Sequence, residues 1–403
     1  MCNTVGCFTG GKRIGYNLLG MVTMKRCLQR YGVCIFLILL FLSAFCCSVS
    51  AEGTAYAQST ENAQAVAEEI YDELNTQATE MLSELGLSEF SMDSVLALSP
   101  RKVIDALLGI LQGAYRTPFR VAALLCTVSV LGAFASSFFT QDSKIQTAFD
   151  MCSVLIATCI LAKSLTEVLE TAFSAVQLCS DFMLVYIPGF SGIIAMSGKP
   201  LTSAAYSTLM LGVSNLYTQV GVHWFQPFLL LYLTLSIFSA LQEKYTLQPI
   251  VQCMKKGIYI VFGFAATVFS GLLTVKGALA TSGDSVTVKG VKMLVGSAVP
   301  IVGGAMSEGV TSVLASAGLI RNTVGVFGIF AIACTVLPSV MQLFLWYFAL
   351  SVGGAVSEAL GQNRMKSVLQ GIGGVLSVTN VFLIFTAYVF IISTGIILQF
   401  RGT

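Results

Sequence analysis

The chain has 403 residues, 55% hydrophobic and only 10% charged, with a mean hydropathy of +0.82. Soluble domains carry about 25% charged residues, so this ratio cannot cover a water-facing surface and most of the chain belongs in a bilayer. A net charge of +2 without a basic patch and interleaved aromatics excludes nucleic acid as a partner.

Residues 1–23 show no organisation and read as an over-extended start, with translation beginning at Met21 or Met24. Residues 24–51 then run from "MKRCLQR" into an apolar stretch that ends in small residues ahead of Glu52. This order is that of a signal peptide cleaved after Ala51, or at a second site offered by Ala55 and Ala57. An uncleaved anchor helix is the alternative, because the apolar core is long enough to span. A lipoprotein anchor at Cys46 or Cys47 is disfavoured, because Phe45 and Cys46 stand where a small residue is needed.

Residues 52–100 hold ten of the chain's twenty acidic residues and no Lys or Arg. Positive residues hold loops in the cytoplasm, so this segment is expected outside it. Val66, Ile70, Leu74, Ala78, Met81 and Leu85 recur at helical spacing and form one apolar face. That face either covers the membrane domain of its own chain or docks a partner; Val66, Ile70, Leu74, Met81 and Leu85 are the docking candidates. Ser99 and Pro100 can start a further helix. Its stripe Ile104, Leu107, Leu108 and Leu111 suits the headgroup layer. The extracytoplasmic region is thus 52–120.

Residues 121–403 form the polytopic domain. Candidate spans are Val121–Phe139, Met151–Phe173, Phe182–Gly198, Leu201–Val222, Trp224–Leu241, Gly257–Val275, Met293–Ile320, Thr323–Leu350 and Ile372–Phe400, about seven to nine membrane elements. The second contains Lys163, Glu167 and Glu170, of which the first two are one turn apart and can pair. The basic linker before Gly257 is placed in the cytoplasm. Nothing alternates in the manner of a membrane barrel. The fold class is therefore all-α, a polytopic helical membrane protein, with broken or re-entrant helices expected at Pro188, Pro227, Pro300 and Pro338.

Motifs for enzyme chemistry are absent from the sequence: one histidine (His223), no Cys-x-x-Cys, no phosphate-binding loop, no Gly-x-Ser-x-Gly. No catalytic residue, metal ligand or cofactor is assigned. The twelve cysteines avoid the polar outer segment, so no disulfide framework is read there.

The string V-G-G-A-x-S-E occurs twice, in "PIVGGAMSEG" (300–309) and "SVGGAVSEAL" (351–360). Small residues one turn apart let another helix approach closely, so Gly303, Gly304, Ser307, Gly353 and Gly354 are packing candidates and Pro300 a helix break. Glu308 is the one charge among the 28 residues between Lys292 and Arg321. It is read as an intramembrane polar group facing the protein interior, with an interfacial position as the alternative. Those 28 residues would make one helix of about 42 Å, against a hydrocarbon core of about 30 Å. They are too long for one upright span and too short for two, which favours a re-entrant hairpin over a tilted span. Glu358, beside "GQNRMK", is placed at the membrane surface.

Leu272–Val310 with Leu319–Phe330 resembles the stage III sporulation protein AE family of endospore-forming Firmicutes. The matching features are Lys276-Gly277, Asp284, Lys289, Lys292, Val299-Pro300-x-Val302-Gly303-Gly304, Asn322, Gly325 and Gly328, together with "YIPGFSGIIAMSGKP" (Tyr186–Pro200). The resemblance covers about residues 100–400. It implies a non-enzymatic, multi-span subunit of the channel, or feeding tube, that links mother cell and forespore, in the mother-cell-derived membrane around the forespore. It also implies a requirement for late forespore gene expression, the other membrane proteins of that apparatus as partners beside the lipid bilayer, and no cofactor. A homo-oligomer is also left open. The alternative is a self-contained secondary transporter for a small solute, with Glu308 as its coupling carboxylate.

Overall fold

The computed structural model describes residues 109, 112–138, 143–241, 247–298 and 303–399. The signal peptide, the apolar face Val66–Leu85 and Pro300 lie outside the described residues. Among those described there is no strand. The helices are α1 (Arg116–Phe138), α2 (Ser143–Met196), α3 (Pro200–Gln219), α4 (Gln226–Leu241), α5 (Gln248–Ala298), α6 (Gly303–Ala359) and α7 (Asn363–Gln399). A six-residue π-helical segment, Val220–Phe225, joins α3 to α4 with helical backbone on both sides. The single histidine, His223, sits exposed in it.

Among the described residues, five helical stretches are long and apolar enough to cross a membrane: Arg116–Ala135, Thr147–Met196, Gln248–Gly290, Thr311–Ala359 and Asn363–Gln399. That is fewer than the apolar windows in the sequence: two windows fuse in α2, one is divided between α5 and α6, and the two on α3 and α4 are not among the five. Met151–Phe173 and Phe182–Gly198 are parts of one helix, α2, in which Pro188 does not end the helical run. Leu201–Val222 and Trp224–Leu241 run on through the π segment. Met293–Ile320 is divided between the end of α5 and the start of α6. At about 1.5 Å per residue, the 54 residues of α2 reach about 81 Å. A hydrophobic window detects span depth, whereas these helices continue well past it.

The helices run up and down. α5 lies parallel to α7, since Tyr259 bonds Ser377 (2.6 Å) and Ser270 bonds Tyr388 (2.7 Å). α6 lies antiparallel to α7, with Gly325 against Leu398 and Gly353 against Leu369. The central pair is α6 and α7, with 72% and 56% of their apolar windows buried, against 6% for α5 on the periphery. Hydroxyl pairs tie the helices together: Ser129 to Ser357 at 2.8 Å (α1 to α6) and Ser180 to Ser214 at 3.1 Å (α2 to α3). Such bonds matter where lipid offers no hydrophobic drive between helices. Two tight corners need a positive φ, and each has glycine: Gly198 between α2 and α3, Gly361 between α6 and α7, both at φ 79°.

Candidate functional site: a buried clasp at the α2–α3 corner

Corner residues Ser197–Pro200 turn the chain from α2 into α3. Gly198 takes the left-handed conformation, and Pro200 opens α3, where its missing N–H costs nothing. The first turn of α3 still has orphan N–H groups. Asp284, from the middle of α5, satisfies them: its Oδ1 accepts the Leu201 N–H at 2.8 Å, and its Oδ2 accepts the Thr202 N–H at 2.9 Å and the Thr202 hydroxyl at 2.5 Å. A carboxylate from a distant helix thus serves as the N-cap, where the helix dipole also favours negative charge.

Two cations complete the clasp. Lys199, at the corner itself, and Arg321, on α6, are buried with Asp284; the three are 8%, 5% and 2% exposed. Arg321 Nη2 donates to the Asn322 side-chain oxygen at 3.3 Å. Lys199 lies outside the five apolar stretches. Its ammonium is pushed down to about 8, first by burial and then by Arg321, with Asp284 pulling the other way.

Two to four turns back along α2, an aromatic stack fixes the same helix to α6. Tyr186 stacks on Phe182 (5.5 Å) and Phe190 (5.1 Å), and Phe190 meets Tyr206 of α3 edge-on. The Tyr186 hydroxyl donates to the Val324 carbonyl at 3.2 Å. Gly328 lies one turn beyond Val324; a Cβ there would stand 2.5 Å from the Tyr186 ring. The glycine is what lets the ring lie against α6.

Above the clasp, α5 and α6 meet as an antiparallel pair. A Cβ on Gly198 would touch both Val288 of α5 and Leu314 of α6, so both arms pass the corner. The 28 residues between Lys292 and Arg321 are therefore the ends of two long helices and not one tilted helix. Gly303 opens α6, with Gly304 next to it and Ser307 one turn on. Glu308 is exposed, three residues before the apolar stretch that starts at Thr311. The interior position expected for it is not taken within this one chain.

The second V-G-G-A-x-S-E string lies at the other end of α6. Gly353 and Gly354 face Leu369 at ordinary contact distances, 3.6 and 3.8 Å from an added Cβ. Ser357 bonds Ser129 of α1. Glu358 pairs with Lys366 across the α6–α7 corner at 2.5 Å. The two strings share letters but not surroundings.

Sequence reasoning did not single out Lys199 or Arg321, and it met Asp284, Gly325 and Gly328 only through resemblance. The available signal was three charges beside long apolar runs. Among the described residues no group of three or more His, Cys, Asp or Glu could hold a metal ion.

A family model described as stage III sporulation protein AE matches residues 83–400. A curated relative, stage III sporulation protein AE of Bacillus subtilis (strain 168), is 23% identical over 238 residues. The match spans 59% of this chain and 59% of that relative's length. No solved structure matches. The matched range takes in the whole clasp and all seven helices, and the chain belongs to the stage III sporulation protein AE family, as a multi-pass membrane protein of sporulation.

Proposed function

We propose that this chain is a non-enzymatic membrane subunit of a channel assembly that joins mother cell and forespore, needed for late forespore gene expression. In this reading it sits in the mother-cell-derived outer forespore membrane beside the other membrane proteins of the apparatus. Its region 52–120, acidic up to Pro100, faces away from the cytoplasm and docks a partner through Val66, Ile70, Leu74, Met81 and Leu85. The observation that carries the reading is the clasp. Three segments through which the chain resembles its family, Tyr186–Pro200, the Asp284 region and Asn322–Gly328, meet in one buried joint. What they hold is the geometry of helices, as a structural subunit requires.

The test is crosslinking in sporulating cells, followed by purification of the chain with its neighbours. Other membrane proteins of the apparatus are expected. Ile70→Lys with Leu74→Lys should lose them while the chain stays at normal level in the membrane. A chain that comes out alone and moves a small solute in proteoliposomes is the self-contained transporter instead.

A further inference from the structure

A groove of about 490 Å³ opens between α2 and α4, and the buried Ile372 of α7 contributes to its lining. The two walls run antiparallel: Phe173 lies 6.3 Å from Phe225, and Ser180 bonds Ser214, earlier in the same helical run. α2 lines the groove from Thr158 to Ser180, and the facing wall runs from Ile237 of α4 back to Gly221 of the π segment. The volume is within the range, about 300–1,000 Å³, of sites that hold small organic ligands.

The lining is sorted by chemistry along its length. Up to Leu169 the α2 wall presents Leu161, Leu165 and Leu169, and α4 presents Leu229, Leu233 and Ile237. The hydroxyls of Thr158 and Thr166 are bound to the Val154 and Ala162 carbonyls of their own helix, at 2.8 and 2.9 Å, which leaves their methyls as the free surface. Lys163 and Glu167 stand at this height but do not line the groove, and they approach each other to 3.8 Å. Beyond Leu169 come Glu170, Ser174 and Gln177 on α2 and Gln226 on α4, all four exposed, with Phe173 and Val176 between them. One end is a greasy slot. The other gathers hydrogen-bonding groups with one negative charge and no cation.

A membrane lipid has its parts in the same order. The apolar section, from Thr158 to Leu169, is about 17 Å long at about 1.5 Å per residue. One leaflet is about 15 Å deep, half of a hydrocarbon core of about 30 Å, so one acyl chain matches that length. A helix about 10 Å across would fill about 1,300 Å³ over the same length, far more than the groove holds. The surface beside the slot is apolar as well, with Leu155 and Ile156 of α2 and Leu230, Leu231 and Phe238 of α4 exposed. At the polar end the Glu170 carboxylate accepts from an ammonium, while the amides of Gln177 and Gln226 and the Ser174 hydroxyl donate to phosphate or ester oxygens. An anionic headgroup without an amine would set like charge against Glu170.

We propose that the α2–α4 groove binds one acyl chain of a zwitterionic aminophospholipid, with its ammonium at Glu170 and its phosphate near Gln177 and Gln226. This requires only that the chain spans a membrane, so it stands or falls apart from the channel reading.

The experiment uses the full chain, purified and reconstituted in vesicles of phosphatidylcholine, whose headgroup has no N–H to donate. The probe is phosphatidylethanolamine with a diazirine on one acyl chain; illumination expels N₂, and the carbene inserts into a neighbouring bond. Adducts, located by peptide mass spectrometry, should concentrate on 158–169 and 229–237. A small mole fraction of unlabelled phosphatidylethanolamine should displace them. Adducts at Ile260, Phe264 and Leu272, on the exposed face of α5, report unselected lipid and should not be displaced. Phosphatidylglycerol should be needed at about tenfold higher content, the factor that one hydrogen bond to a charged group supports. Glu170→Gln should erase that difference and keep the tail adducts. Ala162→Trp, from the exposed rim, should fill the slot and remove the groove adducts while those on α5 stay. Leu230→Trp, exposed on the opposite wall, repeats the block should the first variant disturb folding. Adducts spread evenly over both faces overturn the proposal, and so does equal displacement by the two lipids. A groove that stays unlabelled also overturns it, and leaves the slot to an apolar segment of another membrane protein.

Discussion

Asp284→Ala is the substitution that asks most of the clasp. The carboxylate is 2% exposed and accepts three bonds, two from backbone N–H groups of α3 and one from the Thr202 hydroxyl. Hydrogen bonds to a charged group contribute about 1.5–3 kcal/mol each, and bonds at one carboxylate do not add. Removal leaves two backbone donors at the start of α3 without their cap, and Lys199 without a nearby anion that favours its charged form. A buried donor left unsatisfied costs about 1–3 kcal/mol, so a loss of about 2–5 kcal/mol is expected. Asp284→Asn should cost less, about 1–3 kcal/mol, because one oxygen can still accept the Leu201 N–H while the amide NH₂ confronts the Thr202 N–H. The assay is unfolding of the purified chain by increasing SDS fraction in mixed micelles, read by far-UV circular dichroism. The order expected is wild type, Asn, then Ala, with Thr202→Val costing about 1 kcal/mol alone and less in the Asp284→Ala background. An Asp284→Ala chain that unfolds with wild type refutes the reasoning, because the cap would then contribute nothing.

Lys199 gives a pH signature. Its folded-state value is lowered from the usual 10.5 to about 8, so between those values the unfolded chain binds more protons than the folded one. Stability should therefore rise with pH across that window, and Lys199→Met should remove this part of the slope. Two glycine replacements should behave oppositely in the same micelle assay. Gly328→Ala would place a methyl 2.5 Å from a Tyr186 ring already held between Phe182 and Phe190, an overpacking cost of about 1–3 kcal/mol. Gly353→Ala meets only an ordinary contact with Leu369 at 3.6 Å and should be neutral or stabilise by up to about 1 kcal/mol through helix propensity.

Composition alone made the fold class legible: a chain with this little charge and this much apolar sequence has few places to go besides a helical membrane domain. The joints between helices were harder. Pro188 was expected to break a helix, yet α2 runs through it, with the Ser191 hydroxyl bonded to the Pro188 carbonyl at 2.9 Å. Among the described residues, corners lie at Gly198 and Gly361, each in a short polar string, "SGKP" and "GQNR". Proline removes one bond from a helix that neighbours hold in place, whereas a left-handed glycine redirects the backbone outright.

The repeated V-G-G-A-x-S-E string drew attention because two glycines and a glutamate are costly in apolar sequence. Its geometry gives it a modest part at Gly353 and Gly354, where a methyl would fit. Glycines without room include Gly328, under Tyr186, Gly371, against Ser236, and Gly374, against the Tyr232 hydroxyl; none of these belongs to the string. Steric need depends on what a distant helix places opposite, and spacing along one helix does not carry that. The α2–α4 groove is the reverse case. Its α2 wall is fully present in the sequence, and Lys163 with Glu167 was read as a local pair. Cutting α2 into two spans hid the rest, because Ser174, Gln177 and Ser180 fell between the windows. Only a helix that runs on past Phe173 puts them on one wall with Leu161, Leu165 and Leu169, and only the antiparallel return of α4, with Phe225 against Phe173, turns that wall into one side of a groove.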